Sequence, residues 1–151
     1  MRKALSLVLA LVMFVGVTAC STTDIEKYKQ YKGDMLVIEY IPGGPVSEEE
    51  YEMAHKKIRV TYSGDACIPN PVNEYCARMK DEDYRKVLEF CLKNMENNKF
   101  KDYSEEVDDG AAYVFTAYDE NGKEFKLYEG SIYNNQDLKD IVSTITYYQV
   151  D

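Results

Sequence analysis

Tryptophan is absent from this sequence, and histidine occurs only once, at position 55. A hydrolase with a Ser/His/Asp or Cys/His centre would therefore have to use His55 as its base. The sequence contains no Gly-x-Ser-x-Gly segment, and no catalytic signature surrounds its cysteines. It also lacks a glycine-rich segment followed by Lys-Ser or Lys-Thr, the pattern of a phosphate-binding loop. From these absences we predict neither a catalytic residue nor a cofactor.

Basic residues are few relative to acidic ones, 18 against 27, and the formal net charge is −9. A surface this acidic is repelled by DNA and RNA, so we do not expect a nucleic-acid partner. No metal site is predicted either, because the spacings of His55 and the cysteines match no compact Cys/His site. An EF-hand loop that began at Asp119 would end at Gly130, where a bidentate glutamate is required.

Long apolar runs are also missing, since the run from Leu7 to Val17 is too short to cross a bilayer as a stable helix. This run follows the cationic start Met1-Arg2-Lys3 and leads into Val17-Thr18-Ala19-Cys20. The arrangement resembles the bacterial lipoprotein signal. That resemblance implies cleavage before Cys20 and attachment of a diacylglyceryl group to its thiol. The alternatives are an ordinary secretory signal and an uncleaved membrane anchor.

The predicted organisation is a lipoprotein signal peptide at 1–19, a lipidated Cys20 with a tether over 20–34, and a single domain over 35–151. The last range is long enough for one hydrophobic core but not for two. Acyl chains would anchor such a domain to a membrane without a transmembrane helix. We therefore expect it on the extracytoplasmic face of a bacterial cell membrane.

Three cysteines remain once Cys20 is assigned to lipid. Cys67 and Cys76 bracket a loop that contains two prolines, and an exported chain can form disulfides, so these two are a candidate pair. Cys91 lies among the apolar positions of a predicted helix, where a buried and inert thiol is expected.

The first half of the domain contains two strand patterns and one ambiguous segment. Residues 35–41 form a β-rich run that ends at Pro42-Gly43-Gly44-Pro45, and residues 57–62 form a second strand. Between them, Ser47 and Glu50 form a capping box, which favours a helix over 48–57. The alternation of Tyr51, Met53 and His55 favours a hairpin instead, and we slightly prefer the hairpin.

In the second half, apolar residues at helical spacing behind Asp81 predict a helix at about 82–97. A hairpin follows, with strands over 112–118 and 123–129 joined at Asn121-Gly122. A last amphipathic helix, at about 136–148, is capped by Asn134 or Asn135. These elements predict an α+β fold, in which two main helices pack on an antiparallel sheet of about four to five strands.

The segment from Met79 to Tyr148 carries a set of linked motifs. They are a helix of the form Glu-Asp-x-x-x-Val-Leu-x-x-x-Leu, then Asp109-Gly110, a Tyr/Phe strand, Asp119-x-Asn121-Gly122-Lys123 and a closing helix. This segment resembles a group of small secreted or lipoprotein domains of Firmicutes. The resemblance implies an antiparallel sheet flanked by helices in an envelope with one membrane, and it brings no activity with it.

Our main hypothesis is a lipid-anchored binding or structural domain of the cell envelope, whose partner is an envelope protein or polymer. Fourteen tyrosines are compatible with a recognition surface, although tyrosines on strands also serve in packing. The predicted binding surface is the rim around the two paired cysteines, with Tyr40, Tyr62 and Tyr75.

Two other functions compete with this hypothesis. A small cell-wall or glycan hydrolase would use a pair of carboxylates, for which Glu105-Glu106 and Asp108-Asp109 are among many candidates. An inhibitor would present the proline-bearing loop between Cys67 and Cys76 to a protease, because a rigid loop loses little entropy on docking.

Overall fold

The computed structural model describes residues 23–69, 73–105, 107 and 110–149. Its centre is one antiparallel sheet with six strands. The strands are β1 (Asp34–Ile41), β2 (Lys56–Thr61), β3 (Asp65–Pro69), β4 (Glu74–Arg78), β5 (Ala112–Tyr118) and β6 (Glu124–Gly130). They lie side by side in the order β4-β3-β2-β1-β5-β6.

Four helices accompany the sheet: α1 (Ile25–Lys29), α2 (Glu48–Ala54), α3 (Asp81–Glu96) and α4 (Gln136–Thr146). The predicted α+β class and antiparallel sheet are confirmed. The two main helices predicted at 82–97 and 136–148 correspond to α3 and α4, but two further short helices are present. The predicted four to five strands are too few, because the sequence pattern predicts no strand at β3 or β4.

The two long helices form where apolar residues recur at helical spacing. Helix α3 buries Tyr84, Val87, Leu88 and Cys91, and its first turn is acidic, which suits the positive end of the helix dipole. Its N-cap is Lys80, which makes no side-chain capping bond. Helix α4 buries three apolar side chains, at 138, 141 and 145, and the Asn135 side chain caps it by accepting from the Leu138 N–H at 3.1 Å.

One face of the sheet packs against these helices and forms the core. On β1, Leu36 and Ile38 are fully buried, and Ile38 lies between Ile58 of β2 and Phe115 of β5. Because side chains alternate along a strand, Val37 and Glu39 point to the opposite face, where both are partly exposed. That face is the polar, open side of the sheet, as is common for antiparallel sheets.

The preference for a hairpin over 48–57 is wrong, because residues 48–54 form α2. Ser47 accepts from the Glu50 N–H at 3.3 Å, and the Glu50 carboxylate accepts from the Ser47 N–H at 2.8 Å. This reciprocal cap gives an acceptor to each of two backbone N–H groups that would have none at an uncapped helix end. No residue of α2 is buried, so the alternation of Tyr51 and Met53 does not mark the buried face of a strand.

The cysteine-bracketed segment forms a hairpin of two short strands. Cys67 of β3 lies directly opposite Cys76 of β4, and a disulfide joins them. The candidate pairing is therefore present. Residues 70–72 of the proline-bearing loop lie outside the described residues.

Part of the predicted tether belongs to the domain. Within 20–34, residues 25–29 form α1, and Ile25 is buried in the core with only 6% of its surface exposed. The Lys29 ammonium donates to Asp81, at the start of α3, at 2.8 Å. Cys20 and the predicted signal at 1–19 lie outside the described residues. Among the described helices, none has the length and apolar character needed to span a membrane.

Candidate functional site

The three tyrosines predicted as a binding surface lie in three different environments. Tyr62 is a core residue with 1% of its surface exposed, and its hydroxyl donates to the Tyr118 carbonyl at 2.6 Å. Burial raises the pKa of Tyr62. The structure therefore does not support Tyr62 as part of a binding surface. The signal that misled the prediction is its position at the end of an alternating strand, where burial cannot be inferred from sequence.

Tyr75 and Tyr40 remain accessible but lie far apart in the sheet. Tyr75 is on the edge strand β4, beside the disulfide, and 42% of its surface is exposed. Tyr40 is on the central strand β1 and packs edge-to-face against Tyr113 of β5, with ring centroids 5.2 Å apart. Thus only Tyr75 belongs to the rim around Cys67 and Cys76.

Tyr113, which contacts Tyr40, also lines the cavity that is best suited to a ligand. It contributes to a crevice of about 340 Å³ between α4 and the start of β5, which we call the α4 crevice. The volume lies within the ordinary range of ligand pockets. Most of its wall is apolar, with polar groups at Ser131, Lys139 and Ser143. The apolar wall consists of Val107, Ala111, Tyr113, Ile132, Tyr133 and Val142.

One rim of the α4 crevice is the loop that precedes α4, and Glu105 holds this loop in place. The Glu105 carboxylate accepts from the N–H groups of Tyr133 and Asn134, both at 2.7 Å, and of Asn135 at 3.0 Å. The Tyr103 hydroxyl also donates to it, at 2.7 Å. Burial acts to raise the pKa of Glu105, but these hydrogen bonds outweigh burial and leave the pKa below its usual value.

The same loop is fixed at two further points. The Lys139 ammonium donates to the Tyr133 carbonyl at 3.2 Å, and the Ser131 hydroxyl donates to the Ala111 carbonyl at 2.9 Å. These bonds leave the Tyr133 ring projecting at the rim, with 72% of its surface exposed. A rim that is already ordered loses little conformational entropy when a ligand binds. The sequence prediction missed this site, although an apolar pair, Ile132-Tyr133, directly before a helix cap was a signal for it.

His55 lies apart from the α4 crevice, on the open side of the sheet. Its Nε2 is 2.5 Å from a Glu39 carboxylate oxygen, and its ring stacks on Tyr51. Lys57 adds a longer contact to Glu39, at 3.7 Å. In the part of the chain that the structure describes, no serine, threonine or cysteine is hydrogen-bonded to His55. The arrangement is a histidine hydrogen-bonded to a glutamate, with no nucleophile bonded to it among the described residues.

Cys67, Glu74 and Cys76 are the one cluster of acidic, cysteine or histidine side chains among the described residues that is close enough to share a metal ion. Both sulfur atoms are used in the disulfide. Glu74 receives two hydrogen bonds from the Arg59 guanidinium, at 2.5 and 2.8 Å, which lower its pKa. These contacts give each member of the cluster a partner within the protein.

Carboxylates from the two long helices line a second, open groove of about 350 Å³, which includes Asp83 of α3 and Asp140 of α4. Each already accepts a hydrogen bond, Asp83 from the Tyr148 hydroxyl at 2.5 Å and Asp140 from the Gln136 side chain at 2.6 Å. The acidic candidates Glu106, Asp108 and Asp109 lie outside the described residues.

Comparisons with known proteins identify no relative: no family model, no curated protein and no solved structure matches this chain.

Proposed function

We propose that this protein is a lipid-anchored, extracytoplasmic binding domain of a bacterial cell envelope and that the α4 crevice is its binding site. The N-terminal lipoprotein-like segment supports the anchor and the compartment. The disulfide between Cys67 and Cys76 supports the same compartment, because disulfides persist where thiols are not kept reduced.

The observation that carries the choice of site is an apolar crevice with an ordered rim. Tyr113 and Val142 offer contact to an apolar group, and Lys139 with Ser143 offers hydrogen-bond donors at its edge. These features suit an aromatic or branched apolar side chain of an envelope protein, with a neighbouring carbonyl or carboxylate held by Lys139. A short stretch of such a protein is the partner that we propose.

Site-specific photo-crosslinking in native membranes tests this proposal. A benzophenone amino acid replaces Tyr133, and the matched control replaces Tyr147, whose exposure is nearly equal, 70% against 72%, but which lines the other groove. We expect a discrete protein adduct from position 133 only. Equal labelling at both positions, or no adduct at either, would argue against the α4 crevice.

The anchor is tested separately by the intact mass of the protein purified from its native membrane. A mass equal to residues 20–151 plus a diacylglyceryl group, with or without N-acylation, is expected. An unlipidated chain would contradict the lipid anchor, and the α4 crevice would then be the proposed binding site of a diffusible protein.

The hydrolase alternative rests on the groove that contains Asp83 and Asp140. If it were correct, Asp83→Asn and Asp140→Asn would each abolish release of soluble fragments from purified cell walls. The inhibitor alternative rests on the β3–β4 hairpin, which the disulfide fixes. Titration against a panel of proteases tests it, and the absence of inhibition at micromolar concentrations would end it. We rank both below the binding domain, because neither has a site as complete as the α4 crevice.

A further inference from the structure

The sheet ends on one side at β4, and in the described part of the chain no strand pairs with its outer edge. An edge strand presents unpaired N–H and C=O groups that can accept another strand. Here the disulfide from Cys76 to Cys67 holds this edge against β3.

The geometry of the hairpin decides which groups of β4 face outward. The Cα atoms of Cys67 and Cys76 are 4.0 Å apart, the close spacing of a pair that exchanges no backbone hydrogen bonds. Pro69, which has no N–H, lies opposite Glu74 in a pair of the same kind. Because the two kinds of pair alternate, the backbone groups of Glu74, Cys76 and Arg78 point away from β3.

From this edge we infer that two copies of the chain pair through β4, antiparallel and centred on Cys76. In that register Glu74 of each copy lies opposite Arg78 of the other, and Cys76 lies opposite its own counterpart. The outward backbone groups then meet in hydrogen-bonded pairs. Tyr75 lies opposite Ala77, where a large ring covers a small side chain. The five residues Glu74–Arg78 are thus complementary to themselves in charge and in size.

Both charged side chains have capacity left for this contact. The Arg78 side chain is 64% exposed, and within its own chain it contacts Asp65 at 3.2 Å and the Ser63 carbonyl. The Glu74 side chain is 38% exposed, and its carboxylate is bonded to Arg59. Since a carboxylate has about four lone-pair positions, Glu74 can accept from a second guanidinium.

The opposite edge of the sheet lacks this complementarity. If β6 paired with itself around its middle residue, Leu127, Lys126 would face Tyr128 and Glu124 would face Gly130. No opposite charges would meet in that register. In this central register the β6 edge offers no matched charges, which favours β4 as the pairing edge. The pairing that we infer also involves a small surface, so we expect reversible, concentration-dependent association that an acidic net charge opposes.

A charge-swap experiment with the full-length chain tests the inference. Two differently tagged copies are co-expressed, briefly cross-linked with formaldehyde in membranes and co-purified. We expect wild-type copies to co-purify. E74R paired with itself, or R78E paired with itself, should co-purify about tenfold less, because like charges then face each other at both symmetric positions. E74R paired with R78E should recover the wild-type yield, since every cross-strand pair is again opposite in charge.

The mixed pair distinguishes a loss of pairing between copies from a loss of folding within one copy. E74R faces Arg59 and R78E faces Asp65 inside each protomer, and mixing the variants relieves neither contact. Alkylation of the purified chains checks that the Cys67–Cys76 disulfide has formed. Should a charge variant fail this check, Tyr75→Ser, which keeps both charges, must lower the yield instead.

Three results would overturn the inference. The first is an absence of wild-type co-purification, which would mean that the charges on β4 protect a free edge. The second is equal yield from all combinations, which would place the contact elsewhere. The third is failure of the folded mixed pair to recover.

Discussion

Removal of the Cys67–Cys76 disulfide should destabilise the domain by an amount that follows from the length of chain it closes. The two residues are separated by 9 positions in the sequence. In the chain-entropy model a loop of this size contributes about 2.6 kcal/mol to the free energy of unfolding at 25 °C. We therefore expect the variant with both cysteines changed to alanine to lose about 2.6 kcal/mol.

Urea denaturation, followed by far-ultraviolet circular dichroism, measures this loss. With a slope of about 1.7 kcal/mol per molar urea, the midpoint should fall by about 1.5 M. Reduction of the wild-type chain should shift the midpoint by a similar amount, and this comparison controls for the two alanine substitutions. The slope should not change by much, because β3 and β4 remain in the native sheet.

Other contacts also hold the hairpin in the sheet. Arg59 of β2 contacts Asp34 of β1 at 2.7 Å and Glu74 of β4 at 2.5 Å, so it ties β4 to the centre of the sheet. These groups are partly exposed, and such ion pairs contribute little on their own. A measured loss below about 1 kcal/mol would refute the reasoning that the disulfide is the main restraint on the hairpin.

Three further predictions concern single side chains. Tyr62→Ala should cost about 3–5 kcal/mol of unfolding free energy, as for other large aromatic residues in a core, whereas Tyr75→Ala should change it by about 0.5 kcal/mol or less; similar losses in denaturation experiments would contradict the burial of Tyr62. Because the pKa of Glu105 lies below its usual value in the folded protein, the contribution of Glu105 to stability is present at neutral pH and is lost as pH falls through that lowered pKa. In strong acid, hydrogen exchange at the Tyr133 amide should therefore accelerate beyond its intrinsic pH dependence, and Glu105→Gln should remove this extra change. Cys91 is fully buried, and burial raises the pKa of its thiol, so maleimide should label it only after denaturation; labelling of the native chain would place Cys91 at the surface.

Several elements could be predicted from the sequence because their causes are local. Helices α3 and α4 were predicted because apolar residues recur at their own spacing, and the cap at Asn135 acts within one turn. The β5–β6 hairpin could be predicted from Asn121-Gly122 between two strand patterns. In the structure, Gly122 adopts a positive φ of 78° and the Asp119 side chain accepts from two N–H groups of the same turn. The disulfide was a candidate because Cys67 and Cys76 bracket a short proline-bearing loop.

The errors concern features that depend on contacts between distant segments. The β3 and β4 strands are short, and only the pairing of β3 with β2 and of β4 with β3 makes them strands. Tyr62 is buried by the packing of the core, and its hydroxyl donates to the Tyr118 carbonyl, 56 positions along the chain. Neither fact follows from a local pattern, because hydrophobic periodicity identifies the apolar face of a strand or helix but not the segment that packs against it.

The α4 crevice depends most strongly on tertiary structure. Its walls come from the start of β5, the loop before α4 and α4 itself, and Glu105 reaches Tyr133 across 28 positions to order its rim. By itself, the sequence determined the fold class, the two long helices, the β5–β6 turn and the candidate disulfide, since each depends on short-range spacing or on residue type. Tertiary structure alone decided which tyrosines are buried, which edge of the sheet is open and where a binding site lies, because packing brings distant residues together and removes water from one side of each element.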